Sequence, residues 1–218
     1  MLDGWDHYGC LIDGQAAEVF VDLDAETAAP TSGLARLICV RVESDEADLG
    51  EELEARIEGR YVARVTTAGR REYHFYVADD TGIRDAVDAA LRTLALDGSV
   101  SATDDEGWEW FKRTLLPSPL ERQKMLNRRR IAGLAPVGAV LVKHTVLFPT
   151  AISRDAALSA ILRRGFAMEG PFDADGVLRF GLVLTQTCEL SNEALDRAVE
   201  VLFDEAEEQG GAYLEWTL

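Results

Sequence analysis

A chain of 218 residues, 47% of them hydrophobic, can form one large core or two cores of roughly 100 residues each. Its formal charge of -17 at pH 7 repels nucleic acid and anionic lipid at long range and favours basic partners. The three cysteines, Cys10, Cys39 and Cys188, are too far apart for a CxxC metal motif or a disulfide framework. We therefore expect a cytoplasmic protein without a metal or another cofactor.

The chain also lacks the patterns of export and of membrane insertion. Its opening, "MLDGWDHYG", has neither a basic nor an apolar leader region, and its longest apolar stretch, "APVGAVLV", is too short to span a bilayer. These features predict a soluble protein with no membrane partner.

Charge divides the sequence at a pair of prolines. Residues 1–116 carry a balance of -14 and residues 117–218 only -3. The change occurs at "LLPSPLERQ", where Pro117 and Pro119 disfavour helical geometry in the residues before them. The sequence therefore predicts one domain over 1–116 and a second over 117–218.

In the first half, an extra strand at "AEVFVDL" is predicted before a βαββαβ series. A strand at "LARLICVRV" precedes an acidic helix at "DEADLGEELEARI" and a hairpin that turns at Gly69 and Arg70. An amphipathic helix ended by Gly98 and a short closing strand, "SVSATDD", complete the series.

The second half repeats the pattern after a leading basic helix, "ERQKMLNRRR". A strand at "VLVKHTVLF" precedes a helix with Ser153 as its N-cap and Gly165 as its stop. A hairpin, a long helix beginning at "SNEALDRAVEV" and a final strand at "AYLEWT" follow. The fold class is therefore predicted to be α+β, with two tandem ferredoxin-like α/β sandwich domains.

Catalytic motifs are absent from the sequence. His7, His74 and His144 lie far apart, and none has a second ligand at a short metal spacing such as HxxxH. No GxSxG, P-loop or GxGxxG sequence occurs. These absences favour a non-catalytic protein with no catalytic residue to name, and an uncharacterised enzyme is the third hypothesis.

A nucleic-acid-binding module is the second hypothesis. Tyr73 and Phe75 lie on one face of "REYHFYV", in the third strand of the first series, where RNA-recognition domains carry stacking aromatics. Arg128, Arg129 and Arg130 could contact phosphate. The acidity of the first half argues against nucleic acid and favours packing roles for both sets.

The last predicted helix is a candidate protein-binding surface. Leu195, Ala198, Leu202 and Ala206 form an apolar stripe at helical spacing. On the opposite side lie the carboxylates Glu193, Asp196, Glu200, Asp204 and Glu207. They are predicted to face solvent, where they could bind an arginine-rich protein.

The sequence resembles two known families, one in each half. The segments "WDHYGCLIDGQAAEVFVDL", "RVTTAGRREYHFYVADD" and "WEWFKRTLLPSPLERQ" are similar to DUF695, a bacterial domain of unknown function. The segments "NRRRIAGLAPVGAVLVKHTVLFP", "LRRGFAME" and "GGAYLEW" resemble the regulator of ribonuclease activity B family.

The second resemblance implies a ferredoxin-like fold and a role in regulation by protein contact. The namesake of that family binds and inhibits the endonuclease ribonuclease E. Within it, "KHTVLFP" corresponds to the first strand, so His144 and Phe148 are expected to have structural roles. The first hypothesis is therefore a cytoplasmic regulator whose protein partner is a ribonuclease.

Overall fold

The computed structural model describes residues 4–12, 14–46, 48–134 and 138–218. The chain divides into two compact units, Met1–Pro117 and Ser118–Leu218. Residue 47 of the predicted acidic helix and residues 135–137 of "APVGAVLV" lie outside the described residues. Each unit combines helices with an antiparallel sheet, so the protein has a mixed α and β structure.

The described part of the N-terminal unit contains six strands and three helices. The strands are β1 (Trp5–Ile12), β2 (Gln15–Asp22), β3 (Arg36–Val42), β4 (Arg60–Thr67), β5 (Arg70–Val77) and β6 (Gly98–Asp104). The helices are α1 (Asp24–Ala28), α2 (Gly50–Glu54) and α3 (Ile83–Thr93), and a π-helical turn, Phe111–Leu115, follows β6.

The strands of this unit form one sheet in the order β1-β2-β4-β5-β3-β6. Here β3 lies between β5 and β6, and β4 follows beyond β5. The β4–β5 hairpin turns at Gly69, whose φ of 73° favours glycine. The predicted extra strand is β2, and the sequence interpretation missed β1, which pairs with β2 as a hairpin at the edge of the sheet.

One face of this sheet packs on the helices. Alternate residues of β3 and β5, including Ile38, Val40 and Phe75, form a buried core with α3. The predicted 13-residue acidic helix is shortened to the five residues of α2. Apolar residues still recur every four positions in and beside this helix. These are Leu49, Leu53 and Ile57, and all three are buried in the same core.

The C-terminal unit has four strands and three helices among its described residues. The helices are α4 (Pro119–Ala132), α5 (Ala151–Arg163) and α6 (Asn192–Glu208). The strands are β7 (Ala139–Phe148), β8 (Ala167–Asp173), β9 (Phe180–Glu189) and β10 (Ala212–Thr217). Their order is β10-β7-β9-β8, and all neighbouring pairs are antiparallel.

Side-chain caps fix where these helices begin. Ser118 and Ser191 each accept a backbone N–H bond at the starts of α4 and α6. The prediction that Ser153 caps α5 was wrong. Thr150 is the cap, since its hydroxyl oxygen accepts from the Ser153 backbone N–H at 3.0 Å. Helices α5 and α6 then bury their apolar residues against β7 and β9.

Candidate functional site

Helix α6 has the predicted apolar stripe. Leu195, Ala198, Leu202 and Ala206 are all buried in the C-terminal unit. The predicted carboxylates lie on the opposite side of the helix, so burial of the stripe directs them away from the core. The structure divides those carboxylates into two groups by their neighbours.

The first group, Asp196 and Glu200, lies in the first half and middle of α6 and contacts α4. Glu200 accepts a hydrogen bond from the Lys124 ammonium at 2.8 Å. Partial burial opposes the charged form of Lys124, but its bonds to Glu200 and Glu121 outweigh burial and raise the pKa. The predicted basic helix is thus paired with the acidic helix of its own unit.

Asp196 belongs to the same group and is half-buried. It accepts a bond from the side-chain amide of Asn127 at 3.1 Å, and desolvation raises the pKa of its carboxyl group. Asn127 is fully buried, and its oxygen accepts from the Trp216 indole at 2.8 Å. Asp196 is therefore part of a network that joins α4, α6 and β10, and it does not face solvent as predicted.

The second group remains on the surface. Glu193 is 84% exposed and pairs with Arg197 one turn later in its own helix. Asp204 and Glu207 are exposed near the C-terminal end of α6, and within the described ranges neither has an ion-pair partner. The last turn of α6 carries no basic residue, so negative charge accumulates at that end.

The arginines of α4 do not form one phosphate-binding face. Consecutive helical residues point about 100° apart, which separates Arg128, Arg129 and Arg130 around the helix. Arg130 donates to the Trp216 carbonyl oxygen at 2.8 Å, and its guanidinium lies 5.0 Å from the centre of that indole ring. Arg128 is close enough to Asp196 to favour its charged form.

Tyr73 and Phe75 are not base-stacking residues. Their exposed fractions are 0% and 1%, because their face of β5 packs on the core formed with α3. The Tyr73 hydroxyl accepts a bond from the Leu49 backbone N–H at 2.8 Å. This part of the nucleic-acid hypothesis is wrong, since a base would have to replace the core of the unit.

His144 has the structural role expected of it. It is fully buried, its Nδ1 lies 3.0 Å from the Tyr213 hydroxyl, and the edge of its ring contacts Phe166. Burial lowers the pKa of its imidazole to about 4. Phe148 is buried in the same core, so "KHTVLFP" supplies packing residues.

One constellation was missed by the sequence interpretation. Cys39, Glu72 and His74 come together on β3 and β5, with one ligand-type atom from each within 4.8 Å of the others. Desolvation raises the pKa of the Cys39 thiol to about 12, and burial lowers the pKa of His74 to about 3. Strand register joins Cys39 to a histidine 35 positions later, which no short motif reveals.

The described structure thus consists of two mixed α and β units, and the acidic helix α6 belongs to the second. Residues 120–217 match the family "Regulator of ribonuclease activity B". Residues 42–116 match DUF695, a family of unknown function. The prediction of these two families in this order is confirmed.

Solved structures with partial likeness include an unknown protein from Galdieria sulphuraria. It is 11% identical, with a TM-score of 0.25, over 84% of this chain and 99% of the other. Protein BT0572 from Bacteroides thetaiotaomicron is 15% identical, with a TM-score of 0.23, over 83% and 91%. Likeness at this level carries no inference about function.

A search of curated proteins finds no match to the chain. None of the helices in the described ranges has the length and apolar character needed to cross a membrane.

Proposed function

We propose that this protein is a non-catalytic cytoplasmic regulator whose C-terminal unit binds an RNA-processing endonuclease of the ribonuclease E type. The match of residues 120–217 to a family of ribonuclease regulators carries this proposal. We also assign both units to the ferredoxin-like class. The strand orders β4-β5-β3-β6 and β10-β7-β9-β8 support this assignment, since in each the first strand lies between the third and the fourth.

The exposed end of α6 is the part of the unit best suited to a basic partner. A helix carries partial negative charge at its C-terminus, and acidic residues there add to it. Asp204 and Glu207 lie in this region, and the last turn has no basic residue. Their repulsion costs stability in the isolated protein and would be relieved by arginine or lysine from a partner.

The other members of the predicted set have internal roles. Asp196 and Glu200 bind α4, and Glu193 is paired within α6. The proposed contact residues are therefore Asp204 and Glu207, with Glu200 at the margin because it is 48% exposed. A partner's cation at that margin would compete with Lys124 for Glu200.

The test uses the full chain and a purified endonuclease of the ribonuclease E type. Binding is measured by calorimetry, and inhibition is measured as the rate of cleavage of a single-stranded RNA. The contact variant is Asp204→Asn/Glu207→Gln. The matched control, Asp173→Asn/Asp175→Asn, removes the same charge from exposed carboxylates in and after β8.

The parent and the control should bind and inhibit equally, and the contact variant should bind more than about tenfold more weakly. Charged pairs desolvated at an interface cost about 2 to 5 kcal/mol when one partner is removed. Equal affinity of all three proteins would reject this face. If the parent does not bind the endonuclease, the proposed partner is wrong. If inhibition instead follows the affinity of this protein for the RNA, protein contact is not the mechanism.

A further inference from the structure

Three different ligand-type side chains meet on one face of the N-terminal sheet. Cys39 in β3 and His74 in β5 are direct cross-strand partners. Glu72 is two residues before His74, so it lies on the same face of β5. The thiol sulfur, one carboxylate oxygen and one imidazole nitrogen all lie within 4.8 Å of one another.

His74 is the most unusual member of this group. Its exposed fraction is 1%, and neither ring nitrogen has a hydrogen-bond partner. The nearest carboxylate oxygen, Glu72 Oε2, lies 3.8 Å from Nε2, which is beyond hydrogen-bond distance. Buried polar groups nearly always have a partner, so an imidazole without one requires an explanation.

The other two side chains leave a donor atom for a shared ligand. Glu72 directs Oε1 to the Arg41 guanidinium at 2.9 Å, which leaves Oε2 on the side of His74. Cys39 is half-buried and has no disulfide partner. Thiolate, imidazole and carboxylate are together the ligands of zinc and similar divalent transition ions.

The surroundings resemble those of an open coordination site. The Trp110 ring lies 4.5 Å from the His74 ring and borders a groove of about 560 Å³ along Cys39, Glu72 and His74. Asp105 also lines this groove, but its carboxylate accepts from the Tyr76 hydroxyl and from two backbone N–H groups. A fourth position would therefore open towards the groove.

We propose that Cys39, Glu72 and His74 form a binding site for a divalent transition metal ion, of which zinc is the best match. Bonds of about 2.0 to 2.3 Å in tetrahedral geometry space the donor atoms about 3.3 to 3.8 Å apart. The donor atoms of the three side chains, which lie within 4.8 Å of one another, need to approach by about 1 Å to reach that spacing. The site lies in the other unit from the proposed ribonuclease contact, and it stands whether or not that contact exists.

The test uses the full reduced chain, freed of metal by a chelator, and Co²⁺ as the probe ion. A cobalt–thiolate bond gives a charge-transfer band in the near ultraviolet, which reports cysteine ligation directly. The variants are Cys39→Ser, Glu72→Gln and His74→Gln. Cys188→Ser is the matched control, because Cys188 is also a half-buried strand cysteine without a disulfide.

The parent and Cys188→Ser should bind one equivalent of Co²⁺ with the thiolate band. Cys39→Ser should lose that band, and each of the other two variants should bind more than about 100-fold more weakly, since even outer-shell changes cost 10- to 100-fold. Zn²⁺ should displace Co²⁺ and raise the melting temperature of the parent and the control only. Circular dichroism of the metal-free proteins checks that each variant is folded.

Absence of a thiolate band in the parent would overturn the proposal. So would a band that persists in Cys39→Ser, or a melting shift of equal size in every variant, which indicates adventitious binding. If Cys39→Ser does not fold, Glu72→Gln decides the matter, because Glu72 is at the rim of the group and an unchanged affinity there excludes the three-ligand site.

Discussion

The two units have the same order of their four shared strands, but they differ in how their central strands are buried. In the N-terminal unit, the residues from Tyr73 to Val77 of β5 are buried without interruption. In the C-terminal unit, β7 alternates, with Val142, His144 and Val146 buried and the residues between them half-exposed. One sheet is therefore covered on both faces at its centre, and the other on one face.

The cover in the N-terminal unit comes from the segment after β6. The Trp108 ring stacks on the Tyr76 ring at 3.9 Å, and its indole donates to the Leu34 carbonyl oxygen at 2.7 Å. The Tyr8 hydroxyl of β1 donates to the Leu115 carbonyl oxygen at 2.9 Å. The comparison shows that a short aromatic segment can turn a one-sided sheet into a two-sided one, and thereby enclose His74.

The largest expected effect is on the cover itself. Replacing Trp108 with alanine should cost the N-terminal unit about 3 to 5 kcal/mol, as for other fully buried tryptophans. Hydrogen exchange of the full chain should show faster exchange at β5 and unchanged exchange at β7. Leu94→Ala, at a residue 46% exposed in the same unit, should leave the exchange rates of both strands unchanged. Equal loss of protection in β5 and β7 would contradict an effect confined to one unit.

The one-sided unit was the easier to predict from sequence. The β-branched and aromatic residues of "VLVKHTVLF" indicate a strand, and β7 spans Ala139–Phe148. The apolar stripe of α6 was likewise confirmed, because helical spacing alone fixes which side is buried.

Tertiary contacts determined the features that were missed. In "REYHFYV", alternation places Tyr73 and Phe75 together but does not reveal that both faces of the strand are covered. The meeting of Cys39 with His74 depends on the register of β3 against β5, and that register is set by the hairpin and the core together. The pairing of Lys124 with Glu200 depends on how α4 packs on α6, which charge counts do not specify.

The next largest effect is on the pH dependence of stability, through the buried His144 of the one-sided unit. In the unfolded chain His144 titrates near 6.5, but in the folded chain its pKa is lowered to about 4. The unfolded state therefore binds more protons between these values, so this contribution to stability is complete above about pH 6.5 and is lost towards pH 4. At about 1.4 kcal/mol per pKa unit, the loss is about 3 kcal/mol.

Urea unfolding at pH 7, 6, 5 and 4 measures this loss. His144→Gln should have a flatter pH dependence in that window, whereas His7→Gln, at an exposed histidine, should follow the parent. Tyr213 is the titratable group that contacts the imidazole, and burial raises its pKa, so it stays neutral throughout. If the free energy of unfolding depends on pH in the same way for His144→Gln and the parent, this histidine is not held neutral by the fold.

A smaller effect is expected at the junction of α4 with α6 and β10. Asn127→Ala should cost about 1 to 3 kcal/mol, because it leaves Asp196 and the Trp216 indole without their buried partner. Leu126→Ala, at the preceding position and 49% exposed, should cost less than about 0.5 kcal/mol. Hydrogen exchange of the β10 backbone amides at increasing urea concentration measures both losses. Similar losses for the two variants would indicate that the bonds of Asn127 to Asp196 and Trp216 add nothing to the stability of the C-terminal unit.

The smallest expected effects are changes in stability when a carboxylate is neutralised at either end of α6. Glu193 lies in the first turn, where the helix dipole favours a negative charge, and Glu207 lies in the last turn, where it does not. Glu193→Gln should therefore lower stability by about 0.3 to 1 kcal/mol, and Glu207→Gln should raise it by a similar amount at low ionic strength. Both changes should shrink in 1 M salt, where the screening length falls to about 3 Å. If Glu207→Gln lowers stability instead, this carboxylate has an internal partner, and it should be removed from the proposed ribonuclease contact.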